Sequence, residues 1–503
     1  MLKFNGQYTD NHKTLFLCGI GLLFPHTFQA QDITTEMREF DEFVRQQQKE
    51  FSDFVSEQNR QFIQFLKENW KSYESSQTGD RPTRPEPVAP IKVDKKTPSL
   101  KPVHIHVDTI QKIPIVTPSA TFPDLSGGKK PLPEEDVLPD LTGKEGLSFD
   151  FYGIPCKVGK SLKDCIHLSG ISERNVAAGW EKLSKADYQT IVDECLHIKR
   201  TCHLNDYAYL LLTQAVATEL LTHKNDNDIV LLQSFILCQS GYKVKMARIG
   251  DKLGLLYASN DLIYATTFLT VDGEKYYKWG KKVEVGTPIY TYGKNFAESR
   301  YQISMGFSEE PDFSGKVKLR TLQSRKYPDI KVVSQVHEDL MDFYRNYPQC
   351  DFSVYLNAPV SEAVEQSVVN VLKGFIKDKS QMEAANMLID FVQTAFAYQT
   401  DGEQFGYEKP FFVDELFYYP YCDCEDRSIL YSRLVRSLLN LDVVLLDYPN
   451  HIATAVCFTE QVEGDYILVN GKKYVICDPT YIGASIGMAM PQFKSVAAKV
   501  LMY

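Results

Sequence analysis

The sequence predicts an α+β protein of several domains, and three features carry that reading. Stretches with helical spacing and stretches with alternating, strand-like spacing follow one another in blocks. An eleven-residue repeat occupies residues 39–71, and twelve prolines stand between Pro82 and Pro139. At 503 residues the chain is also too long for one hydrophobic core. A net charge of −10, with no strong basic run, gives no general attraction for nucleic acid or anionic lipid.

Residues 1–30 read as a signal peptide. Lys3 and Lys13 precede an apolar run over 15–24, and Ala30 offers a small residue for cleavage. Ten apolar residues fall well short of the roughly 20 that span a bilayer, and no later segment is long and apolar enough. An exported protein, periplasmic or extracellular and without a membrane span, is the expectation. Eleven cysteines in so long a chain do not make a disulfide scaffold. Cys156–Cys165 and Cys195–Cys202 are the local pairs worth testing.

Residues 31–76 form an amphipathic helix. EFDEFVRQQQK, EFSDFVSEQNR and QFIQFLKENWK repeat with Phe40, Phe51 and Phe62 in register, and likewise Phe43, Phe54 and Phe65. Eleven residues make three turns of 3.67, so these positions line one nearly straight stripe. The stripe needs cover, either from a second copy, in coiled-coil fashion through residues 39–71, or from the chain's own globular part.

Residues 77–146 are a proline-rich linker or arm, in which short runs such as 103–107 can add as edge strands. His104 and His106 alternate along such a run, but no third ligand accompanies them, so no metal or other cofactor is expected. Residues 147–274 read as an α+β domain, with helical stretches at 172–223 and 230–239, a Gly241 stop, and strand-like runs beyond it. Residues 275–357 carry the alternating runs KVEVGTPIYTYG, SRYQISMGF, GKVKLRTL, IKVVSQV and DFSVYL, which read as a β-rich module.

Residues 358–503 hold the residues with chemistry. Two helical stretches and an aromatic loop precede YYPYCDCEDRSILYSRLVRSLLNLDVVLLDYPNHIATAVCF and GKKYVICDPTY. The phase of Ile429, Leu430, Leu434, Val435, Leu438 and Leu439 projects a helix back to Asp423, a favoured N-cap residue. Cys424 then falls in the first turn, where free N–H groups and the helix dipole favour a thiolate. Asp423, Glu425 and Asp426 oppose it. His451, the sole histidine after His337, begins a strand, and Asp478 closes another that follows the Asn470-Gly471 hairpin signal. Each residue also has an ordinary reading: a metal or redox pair for Cys422 and Cys424, a core histidine, a turn aspartate before proline.

Taken in order, Cys424, Asp426, Arg436, His451 with Ala453, and Asp478-Pro479-Thr480 resemble the transglutaminase-like superfamily, in its exported bacterial form, over roughly residues 360–490. The Arg436 register selects Cys424 over Cys422. What the resemblance implies is a papain-like α+β core with Cys424, His451 and Asp478 as catalytic triad, acting on a protein or peptide substrate through a cysteine thioester. Peptidase or amidase hydrolysis is expected ahead of cross-linking. The alternative is a non-catalytic scaffold or binding protein that keeps the fold. Many members carry a tryptophan beside the histidine's alanine; Ile452-Ala453-Thr454 stands there instead, so the substrate cleft is unassigned.

Overall fold

A computed structural model describes residues 30–79, 92, 102–113, 146–284, 286–449 and 451–502. The signal-like residues 1–29 and most of the proline-rich segment lie outside these described residues. The chain divides into two units, residues 1–56 with 125–135, and residues 57–124 with 136–503. Of the first, only the beginning of helix α1 (Ala30–Leu66) is described. Everything below concerns the second, which is mixed α+β.

The third copy of the repeat packs against its own domain. Phe62 is buried edge-on to Trp180 at 4.9 Å, with Tyr292 at 5.7 Å and Phe296 at 5.5 Å around it. Asn59 accepts the Trp180 indole N–H at 2.9 Å, so the indole can be buried without an unpaired donor. The helix ends at Leu66, ten residues short of the expected boundary, because residues 71–77 turn into two strands, β1 (Lys71–Tyr73) and β2 (Ser75–Gln77).

Within the proline-rich arm, β3 (Val107–Lys112) is described. Next come the hairpin β4 (Gly146–Phe151) and β5 (Ile154–Gly159), then four helices: α2 (Glu173–Lys185), α3 (Gln189–Thr201), α4 (Asp206–Leu220) and α5 (Asp226–Gln239). Side chains of Ser172, Asn205 and Asn225 cap α2, α4 and α5 by accepting first-turn N–H groups. Gly241, at φ 89°, takes the left-handed backbone that ends α5.

Strands β6 (Val244–Ile249), β7 (Lys252–Ala258), β8 (Thr267–Val271), β9 (Glu274–Lys278) and β10 (Ile289–Thr291) join β1 and β2 in an antiparallel sheet ordered β1-β10-β6-β7-β9-β8-β2. β1 and β2 are separated only by Glu74, yet they lie at opposite edges. The sheet must therefore curl to bring its two edges near each other.

The runs expected to form one module over 275–357 are divided. β9 and β10 belong to the curled sheet, while β11 (Val317–Gln323) and β12 (Lys331–His337) make a separate antiparallel hairpin. DFSVYL is helix α7 (Phe352–Asn357), following α6 (Glu338–Arg345), because Asp351 caps it by accepting the Ser353 N–H at 3.4 Å. Two-residue periodicity reports half-buried extended chain and is silent on which sheet receives it, and over six residues a cap outweighs it. The cysteine pairs Cys156–Cys165 and Cys195–Cys202 are not bridged; all four carry free thiols.

The C-terminal part opens with α8 (Glu362–Val364), which continues through a π turn into α9 (Asn370–Ile376), and with α10 (Gln381–Ala395), capped reciprocally by Ser380 and Glu383. Then come β13 (Ala397–Tyr398), α11 (Asp401–Gln404), α12 (Val413–Tyr418), β14 (Tyr421–Cys422) and α13 (Cys424–Leu439). Strands β15 (Asp442–Tyr448), β16 (His451–Cys457), β17 (Tyr466–Val469), β18 (Lys472–Cys477) and β19 (Ala498–Met502) follow. Their sheet is ordered β17-β18-β16-β15-β19-β3.

The proline-rich arm closes this sheet as residues 71–77 close the other. β3 pairs parallel to β19 at one edge, while the Ile105 N–H donates to the Tyr466 carbonyl at 2.8 Å at the opposite edge. Ile105 is wholly buried in the core with Val444, Leu446, Ile467 and Ile476. No helix among the described residues is long and apolar enough to cross a membrane.

Candidate functional site

Asp423 is the N-cap of α13 and Cys424 its first residue. Asp426, three residues on, is buried and accepts the Asp423 N–H at 3.2 Å and the Phe411 N–H at 2.9 Å. It thereby ties the helix start to the aromatic loop before α12. Arg427 is 1% exposed and donates to the Phe396 carbonyl at 3.0 Å, the Gln393 carbonyl at 3.4 Å and the Cys422 sulfur at 3.4 Å. Its guanidinium also lies over the Tyr398 ring at 5.5 Å. Cys422 is thus committed to Arg427, and burial pushes its thiol up against that cation's pull. Arg436, which selected Cys424 by register, is exposed in the last turn of the helix.

His451 opens β16, opposite Tyr448 of β15. Its ring is wholly buried and stacked on Phe493 at 5.1 Å and 9°. Nε2 meets Asp478 Oδ2 at 2.9 Å, whereas Nδ1 is buried with no hydrogen-bond partner. Asp478 directly follows β18, placed by the Asn470-Gly471 turn, whose φ angles of 51° and 78° match a type I′ hairpin. Its other oxygen accepts the Thr480 N–H at 2.9 Å and the Tyr481 N–H at 3.2 Å. The residue is therefore both a turn former and the histidine's partner. Ser428, one turn beyond Cys424 on the same face of α13, donates to the carbonyl of Ile452, next to His451, at 3.1 Å. That bond ties α13 to the start of β16, while the Cys424 thiol and His451 Nδ1 are not hydrogen-bonded to each other.

Carboxylates crowd the thiol. Cys424 Sγ donates to Glu425 Oε2 at 3.1 Å. One carboxylate oxygen from each of Asp401, Glu408, Asp423 and Glu425 lies within 4.8 Å of the others. Burial first, then the neighbouring Glu425 and Asp426 charges, pushes Asp423 up; burial, then Asp426 and Glu425, does the same to Asp401; and burial, then Glu425, to Asp426. A raised proton affinity lessens the negative charge that such groups place beside a thiolate. Tyr398 is pushed up too, by burial and then by Cys424, Asp423 and Glu425. Asp401 and Glu408 lie in the loop TDGEQFGYEKPFFVDE, which reads only as an aromatic entry segment; their convergence on α13 has no local signal. His104 stacks on Tyr466 at 5.0 Å.

The same physics sets a pH dependence. Burial pushes Asp414 up to about 7, with the Ser361 hydrogen bonds opposing and Glu310 adding to it. A carboxyl raised in the folded state gives stability that is full below its unfolded pKa and is lost as pH rises through the folded value. Thermal melts are therefore expected to fall between pH 4 and pH 7. Asp414→Asn, which mimics the protonated acid, should remove on the order of 4 kcal/mol of that slope. A variant slope equal to the parent's would assign the effect elsewhere.

No family model, curated protein or solved structure matches this chain.

Proposed function

We propose that the C-terminal domain is a transglutaminase-like cysteine acyl-transfer enzyme that cleaves amide bonds in an exported protein's surroundings. The observation that supports this best is the state of His451. Its Nε2 is engaged by a buried carboxylate, which holds the ring in one orientation, and its Nδ1 is buried and unpartnered, as a base awaiting a proton is. In the reaction the Cys424 thiol gives its proton to His451 Nδ1 as sulfur bonds to the substrate carbonyl carbon. The imidazolium then protonates the departing amine, and the C–N bond breaks to leave a thioester. Water, deprotonated by the same nitrogen, attacks the thioester; the C–S bond breaks, and the proton returns to sulfur. Asp478 stabilises the imidazolium throughout.

A second reading, a scaffold that keeps the fold without turnover, is favoured by one specific contact. The Cys424 thiol donates to Glu425, whose carboxylate competes with the imidazole for that proton. Acyl capture separates the two. Exposure to an activated ester such as p-nitrophenyl acetate, acid quenching and peptide mass mapping should find the acetyl group on Cys424. Its absence there, or equal acetylation of Cys422, would favour the scaffold.

A further inference from the structure

A second cluster of ligating side chains lies in the helical layer, apart from the cysteine site. His167 stands in the loop before α2, His223 in the turn between α4 and α5, and Asp228 in the first turn of α5. Asp228 is wholly buried; its Oδ1 accepts the Leu168 N–H at 2.9 Å. Its Oδ2 faces both imidazoles, 3.1 Å from His167 Nδ1 and 3.7 Å from His223 Nε2. One ligand atom from each residue lies within 4.8 Å of the other two. We propose that His167, His223 and Asp228 form a zinc site.

Three arguments support it. The donor set of two imidazoles and one carboxylate suits zinc. Bonds of about 2.0–2.1 Å at tetrahedral angles separate neighbouring ligand atoms by about 3.4 Å, a value that the two measured separations bracket. The cluster is also held before any ion arrives. Asp164 accepts both the Thr222 N–H and hydroxyl at 2.8 Å, tying the His167 loop to the His223 turn. The alternative, that Asp228 and the histidines merely cap α5, is weakened by Asn225, which already fills that role by accepting the Asn227 and Asp228 N–H groups.

The His167 and His223 side chains are 70% and 30% exposed, so an ion can enter and a fourth position faces solvent for water or a donor from another molecule. Coordination has one local cost. His223 Nδ1 accepts the Asn225 N–H at 3.3 Å, which leaves the ring proton on Nε2, near the Ile166 carbonyl at 3.2 Å. Zinc at Nε2 moves that proton to Nδ1 and sacrifices both contacts, the first of them long. Local sequence does not reveal the set, because His167 and His223 stand 56 positions apart and neither sits in a ligand motif.

The test uses the full chain stripped with EDTA. Calorimetric titration with Zn²⁺ should show one equivalent bound with a Kd tighter than about 10 µM. His167→Ala and His223→Ala should each weaken it by about tenfold or more, while a His104→Ala/His106→Ala variant leaves it unchanged. Co²⁺ in place of zinc should give the intense visible bands of a tetrahedral nitrogen and oxygen site. No saturable binding, unchanged affinity in the His167→Ala/His223→Ala double variant, or a near-ultraviolet thiolate band with Co²⁺ would overturn the assignment. Circular dichroism checks the variants' folding, and the Co²⁺ spectrum of the parent chain decides the ligand class whether or not they fold.

Discussion

Cys424→Ala is expected to lower hydrolysis of any amide or ester substrate by about 10⁴-fold or more, because nothing else in the site can form the covalent intermediate. His451→Ala should cost about as much, since residues that act as a unit do not contribute additively. Asp478→Asn is the sharper variant. An asparagine Oδ1 can still accept the Thr480 and Tyr481 N–H groups that hold the turn, so the fold should persist. Its amide nitrogen cannot accept the Nε2 proton of His451, so the ring is driven to the tautomer whose Nδ1 carries the hydrogen and cannot act as base. A loss of about 10³–10⁴-fold in kcat with KM nearly unchanged is the expected result, by analogy with the corresponding change in serine proteases. Steady-state kinetics on these variants and on Cys422→Ala, which should keep its activity, checks the set. Equal losses at Cys422 and Cys424 would contradict it.

The second large effect is on stability. Arg427→Ala should cost about 3–5 kcal/mol, because it strips the cation from a buried site and orphans its partners. The Gln393 and Phe396 carbonyls and the Cys422 sulfur lose their donor, and the Tyr398 ring loses the cation over its face. Arg427→Lys should recover little, since one ammonium cannot reach three acceptors that a planar fork spans. Urea unfolding measures the difference. A loss below about 1 kcal/mol, the scale of an exposed ion pair, would mean that water replaces the guanidinium and that this end of α13 is open.

What the sequence reveals here follows the range of each signal. The helix phase from Ile429 to Leu439 leads back to Asp423, and α13 begins at Cys424, because capping and periodicity act within a few residues. The Asn470-Gly471 turn is legible for the same reason, and it sets Asp478 beside β16. The curling of each sheet is not. It depends on residues 71–77 and 103–112 pairing with strands hundreds of residues away; the alternation of residues 103–107 announces an edge strand but not which strands receive it. The acid cluster around Cys424 is hidden likewise. Asp401 and Glu408 look like surface loop residues until the fold gathers them beside α13, where burial raises the proton affinity of Asp401. Phe493 against His451 is a long-range packing choice that no local pattern encodes.

The measurement that tests the central claim most directly is the pH profile of iodoacetamide alkylation at Cys424, read by peptide mass mapping against Cys422 in the same sample. The triad predicts that Cys424 reacts faster than Cys422, with a rate that climbs at lower pH than that of Cys422 and loses this advantage in His451→Ala. Slow and equal labelling of both thiols, with a rise only in the range of an ordinary buried thiol, would contradict it.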